Sequence, residues 1–154
     1  MDHQKYFYKD AHAPIPSRIH IGVVVALRRD NKILFDHRAD GDWGLIGGAM
    51  EIGESITECA KREVTEETGY EVQILRLVGN FSDPSRIIQK PNHAVQLVTI
   101  CFTAEAPEGE LRLSDESQDA GFFTREEIGM LDVVSTHRAI VPHLFNEDQW
   151  PVLA

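Results

Sequence analysis

An α+β sandwich, with a mixed β-sheet held between helices, is the fold class that this 154-residue sequence predicts. Three observations carry it. Runs rich in β-branched residues stand both before and after one strongly capped helix. The element order is strands, helix, strands, then short helices. The chain has the length of one domain, and a hydrophobic content of 42% beside 26% charged residues suits a globular protein with a real core.

Each element has a local cause. Residues 1–17 contain Tyr6, Phe7, Tyr8, Pro14 and Pro16 and read as an extended arm with aromatic anchors; residues 18–154 read as a single domain. The run GVVVAL makes 19–28 a strand, 29–32 turns the chain, and 33–38 returns as a second strand. A glycine- and aspartate-rich loop, 39–44, leads to the helix. Residues 72–81 form the next strand. The segment 82–93, with two prolines and no period, reads as a long loop. The largely apolar run 94–104 belongs in the centre of the sheet. After a turn at 106–110, short strands are expected near Leu111 and at 121–123. Thr124 with Glu127 forms a capping box for a short helix. Ser135 is the expected cap of a last helix reaching about Phe145, kinked or ended by Pro142.

The formal charge of −10 argues against broad nucleic-acid or anionic-membrane binding. Cys59 and Cys101 read as small buried hydrophobes without a disulfide, and no Cys-x-x-Cys pair offers a zinc ribbon. The first residues lack the basic segment and apolar stretch of a secretory signal. The longest apolar run, 21–27, is too short to span a bilayer. A cytoplasmic location is therefore expected.

The most informative segment is GAMEIGESITECAKREVTEETGY, from Gly48 to Tyr70. Ser55 and Glu58 make a capping box, and Gly69 stands where a left-handed stop belongs. At about 100° per residue, Ile56, Cys59, Ala60, Glu63, Val64, Glu66 and Glu67 fall within roughly a 160° arc. The apolar stripe of the first turns thus continues as a carboxylate stripe, near a helix end where the macrodipole disfavours negative charge. Two carboxylates about 6 Å apart repel by roughly 3 kcal/mol at an effective dielectric near 20. Such a cluster raises its pKa values or binds a cation, and hard oxygen ligands suit Mg²⁺ or Mn²⁺. In an acidic protein, a cation would also invert the local charge for an anionic substrate.

From Gly48, five residues lead to Glu54 and seven more to Arg62, followed by Glu63, Val64, Glu66, Glu67, Gly69 and Tyr70. This resembles the signature box of the Nudix hydrolase family, matching at every charged and glycine position. Tyr70 stands where the family usually has an aliphatic residue. Upstream, Trp43, Leu45, Gly47 and Gly48 resemble the family's lead-in, with Ile46 in place of its proline. The motif covers 43–70, and the domain-scale resemblance covers about 18–146.

The resemblance implies the Nudix fold and metal-dependent hydrolysis of a nucleoside diphosphate linked to a group X. It implies that Glu63, Glu66 and Glu67 bind Mg²⁺ or Mn²⁺, that Glu54 joins or supports them, and that the Gly47 carbonyl is a further ligand. Arg62 would orient the glutamates. Glu116 is the best match to a late loop glutamate facing the metal, with Asp115 and Asp119 as competitors. Glu67, Glu66 or Glu116 would serve as or assist the general base. Arg38 and Arg86 are the expected substrate contacts. ADP-ribose or a related nucleotide sugar is favoured. Alternatives are nucleoside triphosphates, ordinary or oxidised, and a nucleotide sensor that does not hydrolyse. A small-molecule nucleotide is the expected partner, and a homodimer is possible on the same resemblance.

Overall fold

The computed structural model describes residues 4–39, 41–73 and 76–154. Ten strands are found among them: β1 (Lys5–Phe7), β2 (Arg18–Arg29), β3 (Lys32–Arg38), β4 (Trp43–Gly44), β5 (Ile46–Ala49), β6 (Arg76–Phe81), β7 (Ile87–Gln89), β8 (Ala94–Glu105), β9 (Ser117–Phe123) and β10 (Val152–Leu153). The helices are α1 (Ile56–Thr68), α2 (Arg125–Ile128) and α3 (Ser135–Arg138), followed by two 3₁₀ turns.

The strands form one mixed, branched sheet whose main path runs β1-β7-β8-β2-β3-β4. The long strands β2 and β8 pair in parallel from Arg18 opposite Val95 to Arg28 opposite Glu105. Strand β5 lies antiparallel to β2, which sets Gly47 opposite Val24 and Gly48 opposite Val23.

The period of two in β2 and β3 divides the core. Val23, Val25, Leu27 and Leu34 face α1, where they meet Cys59, Ala60 and Val64. Val24, Ala26, Ile33 and Phe35 face the other side, where Ile128, Val133, Ile140 and Leu144 cover them. Both cysteines are buried and free. This layering is the α/β/α arrangement the sequence implies.

Helix α1 has the expected ends. The Ser55 hydroxyl accepts from the Glu58 backbone N–H, and the Glu58 carboxylate accepts from that of Ser55. Gly69 closes the helix with φ 75° and donates its N–H to Thr65. Tyr70 fills the place of an aliphatic residue by burying its ring and donating its hydroxyl to the Gly109 carbonyl.

Three local expectations are corrected, and the arm is given a place. The segment 82–93 contains β7, a short strand antiparallel to β8. Lys5–Phe7 of the arm pairs with it in turn, so the arm extends the sheet. No strand forms at Leu111, where the chain runs as irregular backbone. The last helix is a single turn whose cap position is Val134, without a side-chain cap bond; the Ser135 hydroxyl oxygen is buried without a partner.

Candidate active site

The site forms where β5 passes under the C-terminal half of α1. Closeness here depends on two glycines. A Cβ on Gly47 would sit 2.0 Å from the Val23 carbonyl oxygen, and one on Gly48 would sit 2.3 Å from a Glu63 carboxylate oxygen. Only bare backbone lets strand and carboxylate approach this far.

Arg62 organises the acids. Its Nε and Nη2 fork onto the two oxygens of Glu54 at 2.9 and 2.8 Å. Its Nη1 donates to Glu63 at 2.8 Å and to Glu66 at 3.2 Å. The Ala49 carbonyl takes a further bond from Nη2. Those bonds, with one from the Glu51 backbone N–H, hold the Glu54 carboxyl down to about 2. The same fork pushes the guanidinium pKa up.

Glu63 and Glu67, one helical turn apart, face the cavity. Burial raises the pKa of Glu63. Glu67 is pushed up to about 9, first by burial and then by the charge of Asp36, against a stabilising hydrogen bond from the Gly47 backbone N–H at 3.0 Å and the charge of Arg38. Glu66 departs from the expectation of an inward stripe. Its side chain is 59% exposed, because it lies on the Arg62 side of the helix and bonds there.

A cavity of about 730 Å³ joins Glu63, Glu67, Gly47, Glu116, Arg38 and Asp36. Asp115 lines it too, whereas Asp119 does not. Asp36 was not singled out from the sequence. It is buried at the end of β3, where it accepts a hydrogen bond from the Ser117 hydroxyl at 2.7 Å. A carboxylate closing the apolar run Ile33–Phe35 was the available signal. Tyr6 and Gln4 of the arm also reach the cavity; the Tyr6 hydroxyl accepts from Arg38 at 2.6 Å and donates to Gln4 at 3.1 Å. A larger open groove of about 980 Å³ lies by Arg28 at the far end of β2, with Arg28 already ion-paired to Glu147.

Arg86 is the misplaced expectation. It is 0% exposed and does not line the cavity. Its guanidinium donates to the carbonyls of Phe81 and Thr136 and to the Thr99 hydroxyl, with a longer contact to the Leu97 carbonyl. Burial lowers its pKa to about 10. With its donors taken up by the chain itself, it ties β6, β8 and α3 together and cannot contact substrate from this position.

The residues present suit a divalent cation. Glu63 and Glu67 are enclosed carboxylates whose burial costs free energy until a positive charge faces them. Arg62 meets Glu63, but no hydrogen bond or salt bridge to a cationic side chain reaches Glu67 among the described residues. Among those residues, no three His, Cys, Asp or Glu side chains already close on one point. Glu54 and Glu66 are instead gathered on Arg62.

Comparison with known proteins decides the lineage. The family model for the NUDIX domain matches residues 16–144. The chain belongs to the Nudix family. A Nudix relative, an ADP-ribose pyrophosphatase of Methanocaldococcus jannaschii, is 35% identical over 101 residues, covering 63% of this chain and 57% of that protein. A MutT-like protein of Streptomyces ambofaciens is 34% identical over 116 residues, covering 75% and 68%. A Nudix hydrolase from Nitrosomonas europaea superposes with a TM-score of 0.68 at 26% identity, covering 87% of this chain and 72% of that one. The MutT protein from Methanosarcina mazei Go1 shares the fold, with a TM-score of 0.72 at 23% identity over 89% and 99% of the two chains. This chain thus spans little more than half the length of the archaeal pyrophosphatase. No described helix is long and apolar enough to cross a membrane.

Proposed function

We propose that this chain hydrolyses the diphosphate bond of a nucleoside diphosphate joined to a second moiety X, using Mg²⁺ or Mn²⁺. The observation that carries the reading is the single cavity lined by Glu63 and Glu67 of α1 together with Glu116 and Arg38. Fold alone would not carry it, because one fold serves many functions. ADP-ribose or a related nucleotide sugar is the favoured substrate class; the similarity to the Methanocaldococcus ADP-ribose pyrophosphatase supports it.

Glu63 and Glu67 would hold the cation from α1, with the Gly47 carbonyl beside them and Glu54 and Glu66 supporting through Arg62. When bound, such an ion neutralises phosphate oxygens and acidifies a water. The remaining work belongs to the protein. Arg38, held by the Tyr6 hydroxyl, meets a phosphate oxygen. Glu116, on the loop opposite α1, accepts the proton as water adds to phosphorus and the bridging P–O bond breaks. The products are a nucleoside monophosphate and phosphorylated X.

The test is a panel of nucleoside diphosphate derivatives and nucleoside triphosphates with Mg²⁺ or Mn²⁺, read by product identification. A monophosphate product from an ADP-ribose-type substrate is the expected result. Nucleotide binding without any product would overturn the hydrolase reading in favour of a sensor. Glu116→Gln should lower kcat by about 10²-fold or more, the scale of general base catalysis; a variant within threefold of wild type removes Glu116 from that role.

A further inference from the structure

We propose that the substrate carries a further anionic group outside the diphosphate, a phosphate or carboxylate, and that a second lobe of the site bearing His20 and Lys90 receives it. The inference rests on the diphosphatase reading and deepens it.

The acidic cavity does not stand alone. A second cavity, of about 190 Å³, shares Tyr6, Arg38, Gly47 and Gly48 with it. The two are lobes of one site, with Arg38 at the seam. Their linings differ in sign. The first lobe carries Asp36, Glu63, Glu67, Asp115 and Glu116. The second carries Arg38, His20 and Lys90 beside the neutral ring of His137, and among the described residues no Asp or Glu lines it. In a chain of formal charge −10, a wall with no Asp or Glu among its described residues, beside the acidic lobe, is a feature to be explained.

Three elements build the basic side. His20 lies on β2 in register with Leu97 of β8, so it faces the lobe. Lys90 and His93 flank the tight turn between β7 and β8, closed by the bond from the Lys90 N–H to the His93 carbonyl at 2.8 Å. Burial, and then the charges of Lys90 and His93, hold the pKa of His20 down, so these basic groups already feel one another. Beneath the lobe lies Arg86. Its guanidinium bonds Thr99 at 3.0 Å and Thr136 at 2.9 Å, two residues of the lining. No salt bridge to it occurs among the described residues, and Asp83, which raises its pKa from a distance, is tied to Ser85. An unpaired buried cation behind the wall adds positive potential where low dielectric preserves it.

A substrate whose diphosphate crosses the seam at Arg38 therefore sends one end towards Lys90 and His20. A neutral sugar gains little there. An anion gains a charge-assisted hydrogen bond from Lys90 and a further hydrogen bond from the His20 ring.

The test uses matched pairs that differ by one anionic group: UDP-glucose against UDP-glucuronate, and ADP-ribose against its 2′-phosphate. The full chain is assayed with Mg²⁺ or Mn²⁺ at low and at 0.5 M salt. At low salt, kcat/KM should favour the more anionic member of at least one pair by about tenfold, the scale of one charge-assisted hydrogen bond. High salt should shrink the preference. Lys90→Ala should reduce kcat/KM for the anionic member about tenfold more than for its partner, through KM, and Lys90→Arg should restore most of the difference. Equal rates within both pairs, or equal losses in Lys90→Ala, overturn this inference and leave the diphosphatase reading standing. No turnover of any member overturns that reading, and this inference with it.

Discussion

Arg62 and Arg86 are the same residue in opposite surroundings. Arg62 is 24% exposed and hydrogen-bonds three carboxylates, Glu54, Glu63 and Glu66, with that of Glu51 at 3.9 Å. Arg86 is fully buried and holds carbonyls and a hydroxyl. The first neutralises acids that a cation also needs, so its value is functional and its loss leaves a helix that water can still solvate. The second satisfies oxygen acceptors that water cannot reach, so its value is structural. A charged residue is read correctly only when its partners are known.

The sharpest way to break this contrast starts with the carboxylate that Arg62 does not hold. Glu67→Gln keeps an acceptor for the Gly47 N–H but removes the carboxylate that a cation would bind. Turnover should fall by orders of magnitude, ~10²–10⁴-fold, with an unchanged circular dichroism spectrum. A rate near wild type would remove Glu67 from the chemistry. Arg86→Met comes next. It strands the carbonyls of Phe81 and Thr136, each costing about 1–3 kcal/mol when buried unsatisfied. Urea melts should show a loss of about 3–5 kcal/mol, with kcat/KM on ADP-ribose within about fivefold of wild type per folded molecule. Arg62→Met should do the reverse: a stability loss near 1 kcal/mol and a fall in kcat/KM of ~10–100-fold. If the two arginine variants behave alike, the contrast is wrong.

The smallest effect tests how far the structural side extends. His137 is buried, and its Nδ1 accepts the Leu45 N–H at 3.1 Å. Burial, then Arg38 and Arg86, hold its pKa well below the ordinary 6.5. The unfolded chain therefore takes up a proton below about pH 6.5 that the fold refuses. The neutral ring's stabilisation is complete above that pH and is lost as pH falls towards the folded pKa. Between pH 7.5 and 5.5 the wild type should lose about 1.4 kcal/mol more than His137→Gln. Parallel losses would show that the ring is not held neutral.

What the sequence made legible follows the range of the forces involved. The capping box at Ser55, the left-handed Gly69 and the apolar runs of β2, β3 and β8 are local patterns, and the structure keeps them all. Glu63 and Glu67 share one cavity, with Arg62 bonded to Glu63, because a helix fixes their mutual directions. Arg86 was misread because its partners come from Phe81, Leu97, Thr99 and Thr136, which no local pattern joins. Strand β7 was missed for a related reason: it is three residues long, lies between two prolines and exists only because β8 and β1 pair on either side. Tyr6 read as an anchor of unknown destination, and only that pairing brings it to Arg38. Glu66 shows a limit of helical geometry itself. It lies at the edge of the stripe, and Arg62 beside it draws it outward.

Mn²⁺ titration of the purified chain, followed by electron paramagnetic resonance with and without a nucleotide, is the decisive measurement. Saturable uptake is expected, weakened at least ~10-fold in Glu67→Gln and little changed in Arg86→Met. Failure of the wild-type chain to take up Mn²⁺ saturably, even beside a nucleotide, would contradict the assignment of Glu63 and Glu67 as cation ligands and the chemistry built on them.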